Sequence, residues 1–144
     1  MYRVPEAKFI TILFLVLTAI PNYILAGETP KIIEGATTVT AEDLIALVDS
    51  TPNVVLVDSR IRGDRKQGFV EGSISLPDID TNCTTLAKNI ASKESSVLFY
   101  CNGIKCGRSA NAIAIAITCG YHNTYWFRGG FDEWQTKGYP FLRE

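Results

Sequence analysis

The stretch Val97-Leu98-Phe99-Tyr100-Cys101-Asn102-Gly103-Ile104-Lys105-Cys106-Gly107-Arg108-Ser109-Ala110 decides how this chain is read. A short apolar run, too brief for a helix, ends in a cysteine. A loop with two glycines, two cations and a second cysteine follows. From Ser109 onward Ala110, Ile113, Ala114 and Ile117 recur at the i, i+3, i+4, i+7 period of a helix, and Ala112, Ile115 and Ala116 make its other faces apolar. The pattern sets Cys101 between the end of a buried strand and the start of a buried helix. Gly103 and Gly107 are expected to free the backbone, so that successive N–H groups of Asn102, Gly103, Ile104, Lys105, Cys106 and Gly107 turn toward an anion. The helix adds the positive end of its dipole, and Lys105 and Arg108 add full charges. These terms favour the Cys101 thiolate over the thiol, and a nucleophile of that kind requires neither a general base, a metal nor a cofactor.

Working outward, the flanking sequence alternates strand and helix signals. Thr37-Thr38-Val39 predicts a first strand. Thr40 and Asp43 form a helix start, with Leu44, Leu47 and Val48 on one face. Val54-Val55-Leu56-Val57 is a β-branched run of the type found where a parallel strand is covered on both faces. Asp58-Ser59-Arg60 follows at its carboxyl end, where open α/β sheets bind ligands. Ile61 to Gly72 is a charged surface connection, Ser73 to Leu76 a short strand ended by Pro77, and Asp78 to Asn82 a turn. Leu86 to Ala91 predicts a helix with Leu86, Ala87 and Ile90 inward. Beyond the focal segment, Gly120 stops the helix, Thr124 to Phe127 reads as the last strand, and Phe131 to Lys137 as a short helix. The expected fold is α/β, a central mostly parallel five-stranded sheet with helices on both faces.

Charge and the amino terminus bound the setting. A net charge of −1 offers no basic surface for nucleic acid. Arg3 and Lys8 precede the apolar run Phe9 to Ile20, Pro21-Asn22 breaks it, and Ala26 stands at its exit. Residues 1–26 are therefore expected to be a secretory signal cleaved after Ala26, with an uncleaved membrane anchor as the alternative. Residues 27–36 read as a linker and 37–144 as one domain. The folded part is expected in the periplasm or otherwise outside the cytoplasm, touching a membrane only if the leading segment is retained. All four cysteines lie in that part. Cys119 reads as a small buried hydrophobe and Cys83 has no assignment. A Cys101–Cys106 bridge would close a very short ring and stabilise little. Two cysteines with no nearby histidine make a poor zinc site. His122 is read as incidental, Trp126, Phe131 and Trp134 as packing, and Asp58 with Arg60 as an ion pair tying two loops together.

Val97 to Cys101 followed by Gly107-Arg108-Ser109-Ala110 resembles the active-site segment of the rhodanese family. Leu56-Val57-Asp58-Ser59-Arg60 resembles its first strand end, Gly68 to Pro77 its middle segment, and Gly120-Tyr121 through Trp126 to Trp134 and Gly138-Tyr139-Pro140 its carboxyl-terminal signature. The resemblance implies a single domain that carries sulfane sulfur on Cys101. A small anionic donor such as thiosulfate would supply the sulfur, and a thiol, a protein thiol included, or cyanide would accept it. Amides of Asn102 to Gly107 would hold the persulfide, Lys105 and Arg108 would attract the donor, and Ser109 would cap the helix. Asp58 and Arg60 would support the site. Arg108 stands seven residues after Cys101 where the usual single-domain loop has five. That size keeps phosphatase or arsenate reductase chemistry open. Cys106, inside the enlarged loop, leaves open a resolving thiol, a second sulfur carrier or an inhibitory disulfide. A non-catalytic binding module is the remaining alternative.

Overall fold

The computed structural model describes residues 29–144; the expected signal segment lies outside them. Among the described residues no helix is long and apolar enough to cross a membrane. Five strands, β1 (Ala36–Val39), β2 (Val55–Asp58), β3 (Ile74–Ser75), β4 (Val97–Tyr100) and β5 (Thr124–Phe127), form one sheet in the order β1-β5-β4-β2-β3, and every pairing is parallel. The expected strand over residues 73–76 shrinks to two residues. It lies on the sheet edge, where only one neighbour is available to extend it. The amino-terminal stretch is not a free tether throughout. Ile33 packs against the core, and Pro30 O accepts a bond from Arg128 Nε at 3.0 Å.

Four helices, α1 (Ala41–Ser50), α2 (Cys83–Asn89), α3 (Arg108–Thr118) and α4 (Gly130–Thr136), cover the two faces. Strand alternation dictates which residues meet which helices. Val57, Val97, Phe99 and Trp126 point into a core with Leu86 of α2 and Ala112, Ile113 and Ala116 of α3. Leu56, Leu98, Tyr100 and Phe127 point the other way, into a core with Ala41 and Leu44 of α1 and Phe131 and Trp134 of α4. All four β4 side chains are buried, as the uninterrupted apolar run requires.

Helix starts follow side-chain chemistry. Thr40 Oγ1 accepts from Asp43 N at 3.2 Å while Asp43 Oδ2 accepts from Thr40 N at 3.0 Å, a complete capping box. Asn82 and Thr85 do the same for α2, which starts that helix at Cys83; at its other end Ile90 is extended, so the helix stops at Asn89 rather than Ala91. Two faces differ from expectation. In α1 Val48 is exposed and Ala41 takes its place in the core, while in α2 Ala87 is exposed. In α3 the buried residues are Ser109, Ala110, Ala112, Ile113 and Ala116, so Ala110 and Ile113 are inward as expected while Ala114 is exposed. The sheet covers only one side of α3, and small alanines on the open side expose little apolar area.

Cys83 and Cys119 form a disulfide with Cα atoms 5.3 Å apart, linking the first residue of α2 to the end of α3. This corrects the reading of Cys119 as an unlinked hydrophobe and gives Cys83 a role. Replacing Cys83 and Cys119 together by alanine is expected to lower the unfolding free energy by about 2–4 kcal/mol. The free energy of urea unfolding, with the slope of each protein taken from its own transition, reads the effect, and an unchanged value would show that the link contributes nothing.

Candidate active site

The chain runs from β2 outward to β3, then returns across β2 to β4 and continues the opposite way to β5. The connections therefore diverge between β2 and β4, leaving a crevice at their carboxyl ends, where sheets of this class bind ligands. Cys101 is the first residue beyond β4 and is 2% exposed. Ser59 lies beyond β2 beside it, donating its N–H to Tyr100 O at 3.0 Å. Its Oγ is buried without a partner among the described residues.

The loop after Cys101 is held from below by α4. Phe131 N donates to Cys101 O at 2.9 Å and Asp132 N to Asn102 O at 2.7 Å. So close a seam leaves no room for side chains. A Cβ on Gly130, whose φ is +60°, would strike Cys101 O, and one on Gly103 would lie 2.5 Å from Asp132 Oδ2. Gly103 and Gly107 do not adopt positive φ, contrary to expectation. Gly103 is needed for close approach, and Gly107, at φ −82°, serves as the N-cap of α3. Ser109 therefore does not cap the helix. It is buried, and its Oγ accepts from Trp126 Nε1 at 2.9 Å, pinning the first turn of α3 to β5.

Asn102, Gly103, Ile104, Lys105, Cys106, Gly107 and Arg108 line a cleft of about 710 Å³ together with Asn111 and Asp132. Ile104 and Lys105 are exposed, Cys106 and Arg108 half-buried. Cys106 N donates to Gly103 O at 2.9 Å, curling the loop. Among the described residues the N–H groups of Asn102, Gly103, Ile104, Lys105 and Gly107 have no acceptor. Arg108 Nε lies 3.9 Å from Asp78 Oδ1, and Arg108 Nη1 lies 3.9 Å from Cys106 Sγ. Cys101 and Cys106 are joined as a disulfide with Cα atoms 6.1 Å apart. The structure thus describes the oxidised loop, in which the expected free thiolate is tied to its neighbour.

Asp58 and Arg60 sit beneath the loop. Arg60 Nε and Nη2 reach the two Asp58 oxygens at 2.8 and 2.7 Å. Arg60 Nη2 also donates to Gly68 O at 2.8 Å, and Arg60 Nη1 stands 3.5 Å from Asn102 Oδ1. The expected ion pair is present, but both its members stand on one strand end, so it does not itself tie two loops together; the ties to other segments run from Arg60 to Gly68 and Asn102, and the cluster is larger than a pair. Arg65 Nη1 lies 3.3 Å from Asp58 Oδ2, and Tyr100 Oη donates to the same oxygen at 3.0 Å. Burial pushes the Tyr100 phenol well above its ordinary value, with the Asp58 charge adding to it.

A family model for the rhodanese-like domain matches residues 40–137. The chain belongs to the rhodanese-like domain family. Solved structures agree on the fold of this rhodanese-like domain. A Bacillus halodurans protein superposes with a TM-score of 0.67 at 22% identity, over 75% of this chain and 77% of that one. A single-domain sulfurtransferase of Saccharomyces cerevisiae gives 0.57 at 23% identity, over 72% and 91%. The polysulfide-sulfur transferase homodimer of Wolinella succinogenes gives 0.61 at 22%, over 76% and 80%. No curated protein sequence is a significant match.

Arg65, Tyr100, Ser59, Asn111 and Asp132 complete the rhodanese-like site and were not singled out in the sequence. Tyr100 lay inside the focal stretch, Ser59 inside Asp58-Ser59-Arg60 and Asp132 inside Gly129-Gly130-Phe131-Asp132, while Arg65 and Asn111 lay in none of the quoted segments. His122 is exposed and lines none of the crevice.

Arg60→Met is expected to cost about 3–5 kcal/mol, since a buried carboxylate loses its bidentate partner; an urea midpoint within error of the wild type would contradict this. The raised Tyr100 value also fixes a pH dependence. Its contribution to stability is complete below the unfolded value of about 10 and is lost as pH rises through the folded value. Phenolate absorbance should show one tyrosine that ionises only as the chain unfolds. Native-state ionisation of all tyrosines together would contradict the burial argument.

Proposed function

We propose that the domain is a sulfurtransferase carrying sulfane sulfur on Cys101. The observation that carries this reading is the position of Cys101, at the carboxyl end of β4 where the sheet connections diverge, under a loop with unpartnered amides and two cations. In the reduced loop, the Cys101 thiolate attacks the outer sulfur of thiosulfate or of another persulfide donor. The donor S–S bond breaks, and the electron pair leaves with sulfite, or with the donor's own thiolate where the donor is a persulfide. Cys101 then holds the sulfur as a persulfide, and an acceptor thiol or cyanide takes it in a second displacement.

Each surrounding group has a part in this reading. The free amides of Asn102 to Lys105 and of Gly107 face charge without needing to be desolvated at the moment of reaction. Lys105 and Arg108 draw the doubly charged donor into the cleft, while Asp132 opposes it. The Asp58–Arg60 pair fixes the loop base through Asn102. Two cystines in the described chain support an extracytoplasmic setting, in line with the signal expected over residues 1–26.

Intact mass of the reduced protein after thiosulfate treatment tests the reading. One added sulfur on Cys106→Ser, where no second loop thiol can displace it, and none on Cys101→Ser is the expected result; addition that survives Cys101→Ser, or no addition to Cys106→Ser, overturns it. Charge effects should be visible in the kinetics. Arg108→Gln is expected to lower kcat/KM for thiosulfate about 10-fold, and Asp132→Asn to raise it severalfold. Both effects should shrink at high salt. Equal kcat/KM in all three proteins would remove the proposed steering.

A further inference from the structure

The transfer cycle above gives the Cys106 side chain no work, yet Cys106 is the residue bonded to Cys101. The loop is built for that approach. Cys106 N–H closes onto Gly103 O, which carries the second sulfur back toward the first over a Cα separation of 6.1 Å. Cys101 is 2% exposed, whereas Cys106 is half-exposed on the cleft wall. The Arg108 guanidinium stands 3.9 Å from Cys106 Sγ, on the side where charge gathers as that thiol ionises. A thiol so placed reaches the inner sulfur of a Cys101 persulfide as soon as one forms.

We propose that Cys106 resolves the Cys101 persulfide internally, so that the domain releases its sulfur as hydrosulfide and ends each cycle as the Cys101–Cys106 cystine. The inference rests on the persulfide reading above. Cys106 Sγ attacks Cys101 Sγ, the Cys101–Cys106 S–S bond forms, and the bond from Cys101 Sγ to the outer sulfur breaks. The outer sulfur leaves with the electron pair and takes the Cys106 proton, as HS⁻. Sulfane sulfur is reduced by two electrons, and two thiols are oxidised to one disulfide. The cycle resets when a dithiol reductant, small or protein-borne, exchanges with the cystine and becomes a disulfide itself. On this account the described structure is a reaction product, and the partner it awaits is a dithiol. The other cystine takes no part, because Cys83–Cys119 lies at the far end of α3.

Single turnover without added thiol tests this. The full chain is reduced, freed of reductant and given one equivalent of thiosulfate, and sulfite, hydrosulfide and intact mass are followed together. The wild type is expected to release close to one hydrosulfide per chain, retain no sulfur, and show by peptide mapping a new Cys101–Cys106 link. Cys106→Ser, and Cys106→Ala as a second variant, should keep the added sulfur, with hydrosulfide release at least 10-fold slower. A wild type that holds its added sulfur and releases no hydrosulfide overturns the proposal while leaving the sulfurtransferase reading intact. So does hydrosulfide release from both Cys106 variants at the wild-type rate. If no protein releases sulfite or gains sulfur, the sulfurtransferase reading itself fails, and this inference with it.

Discussion

A fully buried carboxylate cannot stay charged without partners, and Asp58 collects its partners from three separate pieces of chain. Arg60 comes from the same strand end, Arg65 from the short 3₁₀ stretch Arg62–Gln67 that follows it, and Tyr100 from the neighbouring strand. Tyr100 Oη also accepts from Val70 N at 3.2 Å and lies 3.0 Å from Ser73 Oγ. Compensating one charge therefore fixes the ends of β2 and β4 relative to each other and draws the long connection over the sheet. The crevice beside Cys101 exists because those two ends are held and their connections part. Cation faces add to the enclosure, since Arg60 stacks 4.5 Å from the Phe131 ring and Arg65 3.6 Å from that of Phe69.

The loop itself is shaped by contact rather than by unusual backbone angles. α4 donates two N–H groups into the Cys101–Asn102 backbone, and the absence of side chains at Gly103 and Gly130 lets the two segments touch. Above this seam the amides of Asn102 to Lys105 and of Gly107 have no acceptor among the described residues, which is costly in a folded protein unless solvent or a ligand satisfies them. The same arrangement that holds the nucleophile rigid thus keeps a set of donors uncommitted around it.

Much of this was legible in the chain because hydrophobic runs report burial directly. Val97 to Tyr100 is apolar at every position and is buried on both faces, and Thr40 with Asp43 announced a helix start that the structure completes. What remained hidden depends on contacts between distant residues. Arg65 looks like one charge among many in a polar connection, and only the position of Asp58 above it makes it part of the site. Cys83 and Cys119 are 36 residues apart, and spacing does not determine disulfide partners. Ser109 was misread as the cap, which is Gly107, two positions earlier. With the helix beginning at Arg108, its hydroxyl points inward to Trp126 instead of back over the helix end. The inward stripe of α3 was displaced for a related reason, because alanine and isoleucine on all sides leave the sheet to choose which face it covers.

The backbone contacts from Phe131 and Asp132 to the Cys101 loop span about thirty residues of sequence, and β1 pairs with β5 across a still longer interval. Contacts of such range close late, after their loop entropy has been met by other structure. The strand that presents Cys101 can assemble with β2 well before the carboxyl-terminal helix arrives. Until α4 docks, the nucleophile stands on a finished strand with an unfinished wall. A chain emerging amino terminus first consequently carries its chemistry for some time before it carries its pocket, and the segment from Gly130 to Thr136 governs when the one becomes the other.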